Sequence, residues 1–220
     1  MFDYSQARTH MLDSQILTNG IIDPNIIEAF NSTPREKYVT EGQGGIAYTD
    51  EDISLGNGRF IIEPMVHAKM LQAVEPKAHE IALDIGCASG YSSAILSPLV
   101  TTVVALEDDK ALLEAASNNW KADSLCNIAS FLGPLNAGYD EQGPYDLIFI
   151  NGAVSEIPQT ILQQLSIGGR LITIVKKAGQ VMGDVTIVKR TSNNDFSSYP
   201  LFSAGTSYLP GFESQDSFEF

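Results

Sequence analysis

The residues best suited to chemistry lie between Ala82 and Tyr91 (ALDIGCASGY) and, about 15 residues on, in Val103-Val104-Ala105-Leu106-Glu107. Gly86 and Gly90 frame a turn in which a missing Cβ lets a ligand lie against backbone N–H groups. The spacing is Asp84-x-Gly86-x-x-x-Gly90, with Cys87 and Ala88 inside it and Tyr91 opening the next apolar run. This is not the Gly-x-Gly-x-x-Gly spacing that accommodates a pyrophosphate, so the turn suits a nucleoside better than a dinucleotide. Glu107, just beyond an apolar strand, is placed to accept both hydroxyls of a ribose, with Asp108 beside it. Asp109 reads as a helix N-cap, and the plainer alternative is that all three acids only open that helix.

These side chains need strands and helices to hold them. Residues 82–85, 102–106, 127–132, 145–150, 170–175 and 181–190 read as strands, and residues 91 onward, 110–121 and 156–165 as helices. Asn151 follows the fourth of these strands at its carboxyl end, where open α/β sheets hold ligands and where an amide can both donate and accept. Asp146 falls at the opposite end and reads as structural. Upstream, residues 4–17 make an amphipathic helix stopped by Asn19-Gly20, residues 24–30 a short second one, and residues 63–74 a third with Pro64 in its first turn. After a polar loop over 191–198, residues 199–202 and 207–211 return a last edge strand, and an acidic tail beyond Phe212 frays. The chain divides into an N-terminal helical cap and substrate-side segment (1–76), an α/β core (77–212) and the tail (213–220), expected as one compact unit.

At 220 residues the chain is long enough for one domain with a full core. Thirteen Lys and Arg against 27 Asp and Glu give a formal charge of -14, a field that repels nucleic-acid phosphates. No run of 18 apolar residues and no basic, apolar leader is present, so neither a membrane span nor secretion is expected. Cys87 and Cys126 are far apart, and His10, His67 and His79 stand alone, which gives no metal-ligand spacing and suggests two reduced thiols in the cytoplasm. His67 reads as packing, and Lys176 and Lys177 as a solvated pair.

LDIGCASGY, VVALE, GPYDLIFINGAV and GGRLITIV resemble the ordered motifs of class I S-adenosylmethionine-dependent methyltransferases. GIID, AFNSTPREKYV, AYTDEDISLGNGR and EPMVHAKMLQAV narrow the resemblance to the protein-L-isoaspartate O-methyltransferase family over roughly residues 10–190. That resemblance implies a doubly wound, mostly parallel, seven-stranded Rossmann-like sheet with an antiparallel last strand and an N-terminal helical cap. It implies S-adenosyl-L-methionine as cofactor and, as substrate, an isoaspartyl-containing protein or peptide whose carboxylate takes the methyl group. Cofactor contacts are then expected from Asp84, Gly86, Cys87, Ala88, Gly90, Tyr91, Glu107, Asp108, Gly133, Leu135 and Asn151. Ile62, Glu63 and Asn151 are the candidates on the reacting side, and Arg35 is expected to order the cap through a carboxylate pair.

The chain departs from the family pattern where substrate would lie. The family run is Gly-x-Gly-x-Thr-Ile-Ser-x-Pro; Gly56, Gly58, Ile61 and Pro64 match it, but Phe60 stands for Thr and Ile62 for Ser, and Glu63 takes a place often held by Gln. A hydroxyl can hold a carboxylate oxygen in line, whereas Ile62 donates nothing, so a backbone group or another side chain must supply the donor. Pro134 likewise replaces an acid that resembles an adenine contact in relatives. A carboxylate acceptor is ionised at pH 7 and needs no general base. Two rivals remain open: methyl transfer to a different acceptor, and an S-adenosylmethionine-binding adaptor without turnover.

Overall fold

The strands are built from near-continuous apolar runs, and such runs are stable only where both faces of a sheet are covered. The computed structural model describes residues 2–213 and shows this arrangement. The cap begins with α1 (Tyr4–Met11), whose N-cap Asp3 accepts from the Gln6 N–H at 3.0 Å. The helical path continues through a wider turn at Leu12–Ile16 and a tighter one at Leu17–Asn19, and Gly20 ends it with φ 80°. Then come α2 (Pro24–Ser32), a hairpin of β1 (Ile53–Gly56) and β2 (Arg59–Ile61), and α3 (Pro64–Val74). The core follows as β3 (Ile81–Ile85), α4 (Tyr91–Leu96), β4 (Thr102–Glu107), α5 (Lys110–Ala122), β5 (Ile128–Leu132), β6 (Tyr145–Val154), α6 (Gln159–Leu162), β7 (Leu165–Val175), β8 (Gly183–Arg190) and β9 (Phe196–Ala204).

The large sheet runs β5-β4-β3-β6-β7-β8-β9. Its first five strands are parallel, β8 is antiparallel to β7, and β9 is antiparallel to β8. The last strand is therefore antiparallel to its neighbour, but β8 is the strand that reverses against the parallel five. Alternate residues face opposite sides. Ala82, Val103, Leu147 and Phe149 join an apolar cluster with residues of α2, α3 and α4, while Leu83, Val104, Ile148 and Ile150 join a second with Ile161 of α6. The chain order reverses between β3 and β6, so the carboxyl ends of these two strands form the crevice where doubly wound sheets bind ligands. The opposite ends are tied down: Asp146 accepts from the Ile81 N–H and the Ser166 hydroxyl, both at 3.0 Å, and Arg170 pairs with Glu80 at 2.6 Å.

Several sequence expectations need correction. The helix expected over 156–165 is one turn, Gln159–Leu162, because β7 already starts at Leu165 and pairs with Tyr145. Val181 lies outside β8, and the edge strand is Phe196–Ala204. Residues 207–211 form no strand of their own. They lie along the end of β6 through the bridge Ala153–Tyr208, as a strap across the crevice. The fraying expected of the acidic tail concerns residues 214–220, outside the described residues.

Candidate active site

Asp84, fully buried at the end of β3, accepts the Ser92 hydroxyl at 2.6 Å, the Ser93 hydroxyl at 2.5 Å and the Asn151 amide at 2.6 Å. Burial pushes its pKa up, while the three donors pull the other way. Asn151 also donates to the Ile85 carbonyl at 3.1 Å. Both residues are thus committed to one another, tying β3 to the first turn of α4 and to β6.

The turn they hold contains Gly86, Ala88 and Gly90 at φ 75°, 50° and 97°. A Cβ on Gly90 would lie 2.6 Å from Trp120 Nε1, which donates to the Gly90 carbonyl at 2.8 Å. Glycine there lets α5 pack its indole under the turn. Cys87 is buried with a free thiol whose pKa burial pushes well up, a setting for packing rather than reactivity. Tyr91 is buried among Phe30, Tyr38 and His67.

Strand register sets Ile85 opposite Leu106, which brings the turn beside Glu107. Glu107 Oε2 accepts the Ala88 N–H at 2.6 Å, and Oε1 accepts the Asp108 and Asp109 N–H groups at 2.9 and 3.1 Å. Its remaining partner is Arg59 of β2, which approaches both oxygens, Nε to Oε1 at 3.1 Å and Nη2 to Oε2. Arg59 is 2% exposed and Glu107 is 0% exposed. Asp108, half-exposed with Oδ1 3.8 Å from Arg59 Nε, is raised to about 6 by partial burial and by hydrogen bonding to Glu107. Asp109 is the N-cap of α5, accepting from Ala111 and Leu112. Gly133 donates its N–H to the Glu107 carbonyl at 3.0 Å, and Leu135 is buried in the apolar cluster that also holds Leu209 and Phe212.

On the reacting side, Ile62 is buried and its carbonyl accepts from Arg35 Nη2 at 2.9 Å. Among the described residues, the carboxylate pair expected of Arg35 is absent. Its Nε donates to the Ala47 carbonyl at 2.8 Å and its guanidinium stacks over Tyr91 at 4.7 Å, so it joins cap, hairpin and α4 through carbonyls and a ring. Glu63 is half-buried, and desolvation, then Asp50 and Asp52, push its pKa up to about 7. Lys176 is not solvated as expected: it is buried, donates to the Thr206 carbonyl and lies 4.4 Å from the Tyr208 ring centroid. His67 is buried between Phe30 and Phe149, and burial pushes it down to about 3, so it stays neutral. Among the described residues no His, Cys, Asp and Glu cluster is arranged to hold a metal, and no helix is long and apolar enough to cross a membrane.

The family model for protein-L-isoaspartate(D-aspartate) O-methyltransferases matches residues 6–210. The chain belongs to this family. The protein-L-isoaspartate O-methyltransferase 2 of Pelobacter propionicus is 32% identical over 203 residues, covering 92% of this chain and 89% of that protein. Protein-L-isoaspartate O-methyltransferase 1 of Geotalea uraniireducens is 34% identical, covering 90% of each. In fold, the chain is similar to a Plasmodium falciparum candidate protein-L-isoaspartate O-methyltransferase solved with S-adenosyl-L-homocysteine, with TM-score 0.76 at 20% identity over 94% of this chain and 97% of that one. A further protein-L-isoaspartate O-methyltransferase structure gives TM-score 0.82 at 23% identity over 93% of this chain and 66% of that one.

For a protein-L-isoaspartate O-methyltransferase the implied cofactor is S-adenosylmethionine. The strand, turn and acid that would cradle its nucleoside are in register, but the space is taken. A Cβ on Gly86 would meet Leu209 at 3.0 Å and Arg59 Nη2 at 3.2 Å, and one on Gly152 would meet Leu209 at 2.7 Å and Phe60 at 3.1 Å. The cavity left among Phe60, Ile62, Gly86, Tyr91 and Asn151 is about 10 Å³, whereas a pocket for a ligand of this size is typically about 300–1,000 Å³. In this arrangement the cleft does not fit the cofactor. The sequence reading missed the two residues responsible. Arg59 occupies an unspecified position of the family run, where a cation directly after Asn57-Gly58 was the available signal, and Leu209 carried no signal at all.

Proposed function

We propose that this protein transfers a methyl group from S-adenosyl-L-methionine to the carboxylate of L-isoaspartyl residues in damaged proteins or peptides, in the cytoplasm. The match of the family model over residues 6–210 carries this reading, because it spans both the cofactor motifs and the more specific upstream segments. This chain's own residues support it through position: Asp84, Ser92, Ser93 and Asn151 fix the turn, and Ile62 and Phe60 wall the crevice. A carboxylate acceptor, ionised at pH 7, would need no general base from this chain. Glu63, with its pKa pushed up to about 7, is the candidate to supply the hydrogen bond that Ile62 does not.

The test is transfer of radiolabelled methyl from S-adenosylmethionine to a synthetic isoaspartyl peptide, with the aspartyl peptide as control and base-lability of the product as readout. Selective, labile labelling is expected. Labelling of both peptides, of neither, or in a base-stable form would remove the reading. The filled cleft favours a second reading, a role without methyl consumption.

A further inference from the structure

The cleft is filled by named groups from two segments. Arg59 and Phe60 come from β2, and Leu209 comes from the strap. Arg59 meets both oxygens of Glu107, the acid that would otherwise face the two ribose hydroxyls. Leu209 occupies the clearance that the missing side chains of Gly86 and Gly152 create. The strap is fastened along its length: Ala153 N–H to Ser207 O at 2.9 Å, Leu209 N–H to Ala153 O at 3.0 Å, Ser155 N–H to Phe212 O at 2.9 Å, and the Thr206 hydroxyl to Asp52 at 2.5 Å.

We propose that Arg59 is an internal ligand of the nucleoside site, holding Glu107 in place of the ribose and closing the cleft together with Leu209, so that a nucleoside enters only by displacing both. The inference rests on reading the Gly86–Gly90 turn and Glu107 as that site. A guanidinium brings its own positive charge to both oxygens of Glu107 in a bidentate pair, where ribose hydroxyls would bring only uncharged donors, so the carboxylate favours Arg59. Glu107 has no unused lone pair while Arg59 is present, since the Ala88, Asp108 and Asp109 N–H groups take the rest. Separating a buried ion pair is strongly disfavoured, so the open form is a minor one, and the apparent affinity for a nucleoside ligand falls by the fraction that is open. Arg59 then tunes affinity: it sets how much cofactor is needed without touching the reacting atoms.

Calorimetry with S-adenosyl-L-homocysteine on the full chain tests this. Arg59→Gln is expected to bind at least tenfold tighter than the unaltered protein, and Leu209→Ala several-fold tighter. The double variant Arg59→Gln/Glu107→Gln should show no gain, because the amide keeps only one acceptor oxygen and no charge where the ribose hydroxyls need two acceptors. No gain in either single variant, including no binding by any of the proteins, overturns the proposal. If Arg59→Gln does not fold, because Glu107 is left buried and unpaired, Leu209→Ala decides on the same criterion. Amide exchange of the unaltered protein provides an independent measurement: saturating ligand should strip protection from the Leu209 and Phe212 amides, and binding with that protection intact overturns the proposal. Tighter binding by Arg59→Gln with no base-labile methylation of isoaspartyl peptide would leave this inference standing and sink the methylation reading. Methylation by the unaltered protein with no gain in affinity in either variant would do the reverse.

Discussion

A carboxylate has about four lone-pair sites, and Glu107 accepts from Arg59 Nε and Nη2 and from three backbone N–H groups. Its charge is therefore neutralised inside the protein, whereas Glu63 keeps its charge only at a cost. Half-burial and the nearby Asp50 and Asp52 raise Glu63 from 4.5 to about 7. Between those two values the folded chain holds a proton that the unfolded chain has lost, so stability is fully present below the lower value and falls as pH rises through the upper one. Glu63→Gln should flatten that fall. Thermal melts of both proteins from pH 5 to 8 are expected to converge at the acid end and separate by about 1–2 °C in favour of the variant at the basic end, a small effect because more than half of the group is solvated. Asp50 and Asp52, raised by burial, act in the same direction in both proteins and cancel in the comparison.

At the scale of elements, the packing of α5 under the glycine turn makes the sharpest demand on sequence. Gly90→Ala would set a Cβ 2.6–2.8 Å from three atoms of the Trp120 indole at a φ of 97°, and overpacking plus left-handed strain should cost about 2–4 kcal/mol. Urea denaturation of the variant should show a lowered midpoint, and an unchanged midpoint would mean that the indole has another resting place. This turn was legible in the sequence, as were all five parallel strands, because apolar runs bounded by glycine and proline have few other readings. The hairpin of β1 and β2 carries a weaker signal. Asn57 and Gly58, at φ 50° and 72°, form the two-residue turn that Asn-Gly announces, yet β2 is only three residues long and too short for alternation to register. The strap, the burial of Lys176 and the carbonyl partners of Arg35 were not legible. Each depends on backbone atoms of distant segments, and a main-chain carbonyl looks the same in every residue.

For the whole molecule, the formal charge of -14 on 220 residues opposes compaction. The ion pairs that matter to the architecture, Arg59 with Glu107 and Arg170 with Glu80, are buried or nearly so and little screened by salt, while most of the excess acid lies outside them. Raising sodium chloride from about 10 to 300 mM should therefore stabilise the fold, and screening worth about 1 kcal/mol would lift the melting temperature by about 2–4 °C. A melting temperature that fell with salt would show that surface pairs outweigh the repulsion.

The strap also sets an order of events in time. It follows β9 in the chain, and its hydrogen bond from Thr206 to Asp52 spans 154 residues. In a chain emerging vectorially from the ribosome, the hairpin, the glycine turn and the parallel strands leave it before residues 206–212 can cover them. The crevice is therefore exposed in the nascent protein for an interval that it does not have afterwards.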